Sequence, residues 1–284
     1  MAVAAAATAP RPGPAADWRW VARAALLTGA GLGYTVIVAP IVFVCWLAFF
    51  ANEVVSFPPQ GYTLRWFSHI LDQNNFVSGF FTSLQVGVAA MTGGLVLGVP
   101  ASLVLARRRF PGREALNTLL ILPLVVPGVV AGTSIYVFQV EAELATGLPL
   151  LGSVAGLVLA HVMITIPWTV RLISASLAGF DRSIEEAALN LGATPLKAFL
   201  RVTLPVIRPG MVAAALFSFI ISFGNLEMTL FLIAPGVTTL PIAILQYLQW
   251  RIDPTICAVA LLQIVLIGVG MLITDRYVKL TRVL

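Results

Sequence analysis

The chain has 284 residues, of which 59% are hydrophobic and only 10% charged, a composition that excludes a water-soluble globular domain and points to lipid as the solvent. Its formal charge of +5 rests on Lys and Arg whose placement tracks membrane topology, so it carries no argument for nucleic-acid binding. The two cysteines, Cys45 and Cys257, fall in apolar runs away from any His or acid cluster, which leaves no metal centre or disulfide framework to propose.

In chain order, residues 1–23 begin with an Ala/Pro-rich stretch that reads as a disordered, cytoplasmic N-terminal segment. A helix needs about 20 mostly apolar residues to cross the hydrocarbon core. Six stretches qualify: 24–51, 80–106, 116–140, 151–174, 211–233 and 256–274. The first is longer than the roughly 7–15 apolar residues of a signal peptide, so it reads as an uncleaved span. The runs are continuous and do not alternate, which excludes a transmembrane β-barrel. The expected architecture is therefore an all-α, polytopic membrane protein with a transmembrane domain over 24–275 and a short cytoplasmic tail over 276–284.

Three connecting segments fall on one side of the membrane. The longest, 52–79, carries Pro58-Pro59, Tyr62, Trp66 and His69; 141–150 is short and acidic; 234–255 carries Tyr247 and Trp250. Such aromatics suit the membrane interface. The other side holds Arg11, Arg19 and Arg23, then Arg107, Arg108, Arg109 and Arg113, then Arg171, Arg182, Lys197, Arg201 and Arg208, and finally Arg276, Lys279 and Arg282. Only Arg65 and Arg251 of the 17 basic residues lie opposite. Because cytoplasmic loops collect Lys and Arg, both termini are expected inside. Within the spans, Pro100, Pro123, Pro127 and Pro167 interrupt the backbone ladder, and Pro123 and Pro127 with Gly128 and Gly132 are the candidates for a bend.

The inner segment 178–210 is polar yet not low-complexity. Asp181 and Ser183 are both capable N-caps, and Ser183 with Glu186 has capping-box spacing. Ile184, Ala187, Ala188 and Leu191 form one apolar stripe, and Gly192 stops the helix. A second short helix is expected from Thr194 as N-cap and Pro195, ending where Leu204-Pro205 breaks it. The stripe offers small side chains at its centre, as a docking surface does. An amphipathic helix lying on the bilayer would carry bulkier anchors and a basic polar face, whereas this one has Glu185 and Glu186 in its first turn.

Glu186-Ala187-Ala188, three residues, Gly192, nine residues, then Val202-Thr203-Leu204-Pro205 resembles the EAA loop of binding-protein-dependent ABC permeases. The resemblance implies the six-span type I importer fold, in a bacterial inner membrane, with a cytoplasmic coupling helix between spans four and five. It implies that Glu186, Ala187, Ala188, Gly192, Leu204 and Pro205 belong to the contact with a separate cytoplasmic ATPase dimer. It also implies a second permease subunit and a periplasmic solute-binding protein. ATP and Mg would be used by the ATPase. The chain itself has no G-x-x-x-x-G-K-[ST] phosphate loop and no catalytic, metal or cofactor site is expected in it.

Charge inside the spans is scarce. Glu227, 16 residues past Met211, is expected about 24 Å along the fifth span, with Gly224-Asn225 beside it as a break that exposes backbone to the substrate path. An intramembrane acid is a functional candidate by default. His161 in the fourth span reads as a hydrogen-bonded packing residue before a ligand. Ser222-Phe223, Pro235-Gly-Val-Thr-Thr-Leu-Pro241 and Asp253-Pro254 are similar to the second permease of spermidine/putrescine importers, although Gly224 and Asn225 stand where acids usually follow the Ser-Phe pair. The alternative, a stand-alone secondary transporter or channel, needs several ionisable groups in the spans or a polar filter. Glu227 alone does not supply these.

Overall fold

A computed structural model describes residues 17–54 and 56–278 of the chain. Of the expected N-terminal segment over 1–23, residues 1–16 lie outside the described residues, as do residues 279–284 of the expected tail over 276–284. Among the described residues the regular structure is helical, and pairing of extended backbone is limited to the isolated bridges Phe50–Tyr62 and Ala234–Val237.

The first span, α1 (Asp17–Leu47), begins earlier than expected, so residues 17–23 are helix and not part of a disordered segment. A short helix, α2 (Arg65–Asp72), then precedes the second span, α3 (Asn74–Arg107). Trp66 on α2 is buried and donates its indole N–H to the Phe50 carbonyl at 2.7 Å, which ties α2 to the turn after the first span. The third span is not one helix. It is α4 (Arg113–Ile121) with a 3-10 turn (Leu122–Leu124), then α5 (Gly128–Thr146), the two halves meeting at 106°. Pro123 and Pro127 bracket the bend. Pro127 cannot donate to a helical ladder and biases Val126 before it toward extended backbone, so no helix propagates across them. The fourth span is α6 (Val154–Ala178).

After α6 come α7 (Arg182–Asn190), α8 (Pro195–Ala198), a π turn (Phe199–Thr203) and the fifth span, α9 (Leu204–Phe223). The helix was expected to break at Leu204-Pro205 and it does not: Pro195–Phe223 is one continuous run. The Leu204 N–H bonds to the Phe199 carbonyl five residues back. This wider turn comes just before Pro205, which lacks an N–H, and lets the helix run on. A 3-10 turn (Thr229–Phe231), α10 (Leu240–Leu248) and the sixth span α11 (Thr255–Val278) complete the chain. Five helices are thus long and apolar enough to span a membrane, and the bent pair makes the sixth.

The core is the packing of α3, α6 and α9. Lipid gives helices no hydrophobic reason to associate, so close backbone approach and interhelical hydrogen bonds must hold them. On α3, Ala90, Gly94, Gly98 and Ser102 recur every four residues and so share one face. A Cβ added to Gly94 would come 2.5 Å from Thr165 Oγ1, and one on Gly98 would come 2.7 Å from Thr169 Cβ. The approach lets Thr165 donate to the Ala90 carbonyl at 3.0 Å and brings the Ser102 hydroxyl, which donates to Gly98 of its own helix at 2.7 Å, within 3.4 Å of the Val170 carbonyl. Gly210 plays the same part for α9 against Ser176 of α6. By contrast α1 leans mainly on α11 and leaves Leu26, Leu27, Leu32 and Ile37 on the surface.

Replacing Gly94 by Leu is expected to lower the unfolding temperature of the detergent-purified chain, through overpacking of about 1–3 kcal/mol. Gly268→Ala on α11, where a Cβ meets nothing within 4 Å, should leave that temperature unchanged or raise it slightly. A Gly94→Leu chain as stable as the parent would show that α3 and α6 do not meet on this face.

Candidate functional site

The segment between α6 and α9 is built from local capping. Asp181, not Ser183, caps α7, accepting the Ser183 N–H at 2.9 Å. That backbone N–H, with help from the Ser183 hydroxyl, holds the Asp181 carboxyl below the usual carboxylate range. Gly192 follows α7 at φ +86, in the left-handed region where a side chain would be strained. Thr194 then caps α8 by accepting the Lys197 N–H at 3.3 Å, with Pro195 at the first helical position.

The two adjacent glutamates of α7 point to different tasks. Glu185 is drawn inward: Arg107, the last residue of α3, grips it through two bonds of 3.0 and 2.6 Å. Thr203 of the π turn receives a bond from Arg107 at 2.8 Å and donates to Glu185 at 3.0 Å. Arg182 adds a bond to the Ala106 carbonyl at the end of α3. Glu186 is exposed, as are Ala187 and Gly192, while Ala188 is half-buried. Around them stand exposed apolar side chains: Ile184, Leu189, Leu191 and Leu196, with Leu191 89% accessible. Leu204 and Pro205 lie apart from this surface, at the root of α9. None of the residues of α7 is buried.

The second feature is the end of the fifth span. The expected helix to residue 233 stops at Phe223, so Glu227 does not sit on a helix about 24 Å from its start but on the turn that follows. Gly224 and Asn225 close α9 with bonds to the Ile220 and Ser222 carbonyls at 3.1 and 3.2 Å. Asn225 Oδ1 then accepts both the backbone N–H and the hydroxyl of Thr229, at 3.2 and 3.1 Å. His161 of α6, 1% exposed, ties the two sides of this break together. Its Nδ1 meets Ser222 Oγ at 2.7 Å and its Nε2 meets Thr229 Oγ1 at 3.1 Å. With the Thr229 hydroxyl donating to Asn225, Nε2 is the donor and Nδ1 accepts from Ser222, so a neutral imidazole satisfies every partner. His161 is thus fully engaged within the protein.

Glu227 is exposed and its carboxylate lies against Gly128, the first residue of α5. Gly132, one turn on, meets Phe231 and Met228 in the same way: an added Cβ would be 2.7 Å from the Phe231 ring. The break in the fifth span therefore packs against the bend in the third. Among the described residues, no group of three or more His, Cys, Asp or Glu could hold a metal ion.

Sequence reasoning did not find the Arg107–Glu185–Thr203 cluster, whose members are 78 and 18 residues apart in the chain. Nor did it find the Ser222–His161–Thr229 clasp. The regular four-residue spacing of small residues on α3 was a usable signal.

Residues 98–282 match the family described as binding-protein-dependent transport system inner membrane component. The putrescine transport system permease protein PotI of Escherichia coli K12 is 34% identical over 239 residues, covering 84% of this chain and 85% of PotI. The putative 2-aminoethylphosphonate transport system permease protein PhnU of Salmonella choleraesuis is 31% identical, covering 72% of this chain and 76% of that one. Among solved structures, a bacterial ABC transporter involved in import of the acidic polysaccharide alginate superposes with a TM-score of 0.71 at 14% identity, over 95% of this chain and 99% of the other. The MetNI methionine ABC transporter in an inward-facing conformation gives 0.59 at 22% identity, over 72% and 95%. The six-span helical fold and these matches agree: the chain belongs to the inner-membrane permease components of binding-protein-dependent ABC importers.

Proposed function

We propose that this permease moves a small primary amine into the cytoplasm by alternating access, driven by a separate ATPase dimer that seats on α7. In this reading the Arg-rich end of the bundle, with both termini, faces the cytoplasm, and ATP and Mg are used by the ATPase alone. A second permease subunit completes the pathway and a periplasmic solute-binding protein delivers the substrate at the opposite end.

The observation that carries the proposal is the α7–α8 turn. It presents Ile184, Leu189, Leu191 and Leu196 in the open beside Glu186, on the segment that joins the fourth and fifth spans. Clustered exposed apolar side chains at such a place are a contact surface waiting for a partner. Glu186 supplies a charge for a basic group on the ATPase. Gly192 lets the chain reverse so that the α7 face stays clear; a Cβ there meets nothing within 4 Å. Leu204 and Pro205 carry the movement into the root of α9.

The substrate class rests on the relatives together with Glu227. Putrescine and 2-aminoethylphosphonate, named for two of them, share a primary ammonium on a short carbon chain. Glu227 is an exposed carboxylate at the junction of the two broken spans, where an ammonium would find a counter-charge. Asn225 Oδ1 is already occupied by Thr229, so Asn225 and Gly224 shape the turn and Glu227 makes the contact.

Two outcomes test these assignments in vesicles reconstituted with ATPase, partner permease and binding protein. Glu186→Lys and Gly192→Val should each insert normally yet reduce ATP-driven uptake by roughly tenfold or more, the scale of a 1.4 kcal/mol contact. Uptake equal to the parent's in both would remove the ATPase seat from α7. Separately, Glu227→Gln should cut uptake of labelled putrescine by about tenfold while leaving the copurifying ATPase in place. Undiminished putrescine uptake would take Glu227 out of the path.

A further inference from the structure

The bidentate pair between Arg107 and Glu185 is not a surface ornament. Its side chains are only 26% and 17% accessible, and the shorter bond is 2.6 Å. Planar guanidinium–carboxylate pairs with two parallel bonds fix orientation as well as distance. Here the same guanidinium nitrogen also bonds the Thr203 hydroxyl, which in turn bonds the same carboxylate oxygen. Three elements meet in this triangle: the end of α3, the first turn of α7, and the π turn at the root of α9.

The location matters because few side-chain bonds tie α7 to the spans. The helix buries no residue, and among the described residues its other side-chain hydrogen bond to the bundle is that of Arg182 to the Ala106 carbonyl, again at the end of α3. A helix held by so few contacts would swivel on its flanking turns, at Phe180–Asp181 and Gly192–Ala193, when pushed. Single π turns inside α-helices recur at functional sites, and Thr203 sits within this one.

We propose that Arg107, Glu185 and Thr203 form the joint that makes α7 move as one body with α3 and α9, so that they are positioning residues for energy coupling and not residues of the ATPase contact. The inference rests on α7 being the ATPase seat. Glu186 faces the ATPase; Glu185, its neighbour, faces the permease's own helices. Without the joint, a push on α7 is absorbed by its flanking turns, and ATP is hydrolysed without moving the spans.

The test is the ratio of solute taken up to ATP hydrolysed, in vesicles containing the complete complex. Glu185→Gln keeps shape and removes the charge. It should retain the ATPase through purification and continue to hydrolyse ATP, while the ratio falls about tenfold, within the range usual for energetic coupling between sites. The exchanged pair Arg107→Glu with Glu185→Arg should recover part of the ratio that each single change loses. Thr203→Val removes only the bridging hydroxyl and should give a smaller fall, and it carries the test if Glu185→Gln does not accumulate. A parental ratio in Glu185→Gln, or in Thr203→Val where that variant stands alone, overturns the joint, as does an exchanged pair no better than the singles. Loss of the ATPase from the Glu185→Gln complex also overturns it, since the residue would then belong to the contact itself. Glu186→Lys separates the two ideas: if it is defective while Glu185→Gln is normal, only the joint fails, and if both are normal the seat fails with it.

Discussion

A bilayer offers no water to a bared N–H or carbonyl, so a helix inside it can end only where protein takes over its hydrogen bonds. Two spans of this permease nevertheless break, one between Leu124 and Gly128 and the other after Phe223. The two breaks pack against each other. The turn after Phe223 is satisfied by Asn225, Thr229 and Ser222, with His161 reaching across from α6 to bind both sides. Gly128 and Gly132 in turn leave room for Glu227, Met228 and Phe231. Any side chain at those glycines would push the broken ends apart and leave their polar groups exposed.

The same economy holds at the basic end. Arg107, at the end of α3, bonds two acceptors from different elements, Glu185 of α7 and Thr203 of the π turn. A partly buried charge is tolerable when its partners are close and correctly oriented, and costly when one is removed. That asymmetry makes the cluster a sensitive place. Glu186, one residue on, is exposed. Adjacent identical residues thus differ in their surroundings: one is bonded into the bundle and the other is exposed.

Much of this architecture was legible in the sequence, because spanning a membrane is a demand on length that apolar runs answer directly. The six runs lie on the observed spans, and Pro123 and Pro127 mark the observed bend. Ends were less legible. The fifth run stays apolar to residue 233, since the turn beyond Phe223 is itself buried at Met228 and Leu232, and hydropathy does not distinguish a buried turn from a helix. Pro205 read as a breaker because a proline's missing N–H ends an α ladder; the π turn before it was invisible. Residues in α10 were read as loop, being too few to stand out between turns. In the site, the cap at Thr194 follows from local chemistry and could be read off. Arg107 and Glu185 could not be paired, because nothing in a single chain couples positions 78 residues apart.

The continuity of Pro195–Phe223 has a mechanical side. Twenty-nine residues of helix at 1.5 Å each make a rod of about 43 Å, rooted beside α7 and tipped by the break at Gly224. A rod that long is a lever: tilting it by roughly 10° about its root would carry the tip sideways by some 7 Å, on the scale of a small solute. The tip does not travel alone. Through Ser222 and His161 it is hooked to α6, and through Met228 and Phe231 it leans on α5. A small angular displacement at the root would thereby become a lateral sweep at the far end of the bundle, delivered to the place where the two broken spans meet.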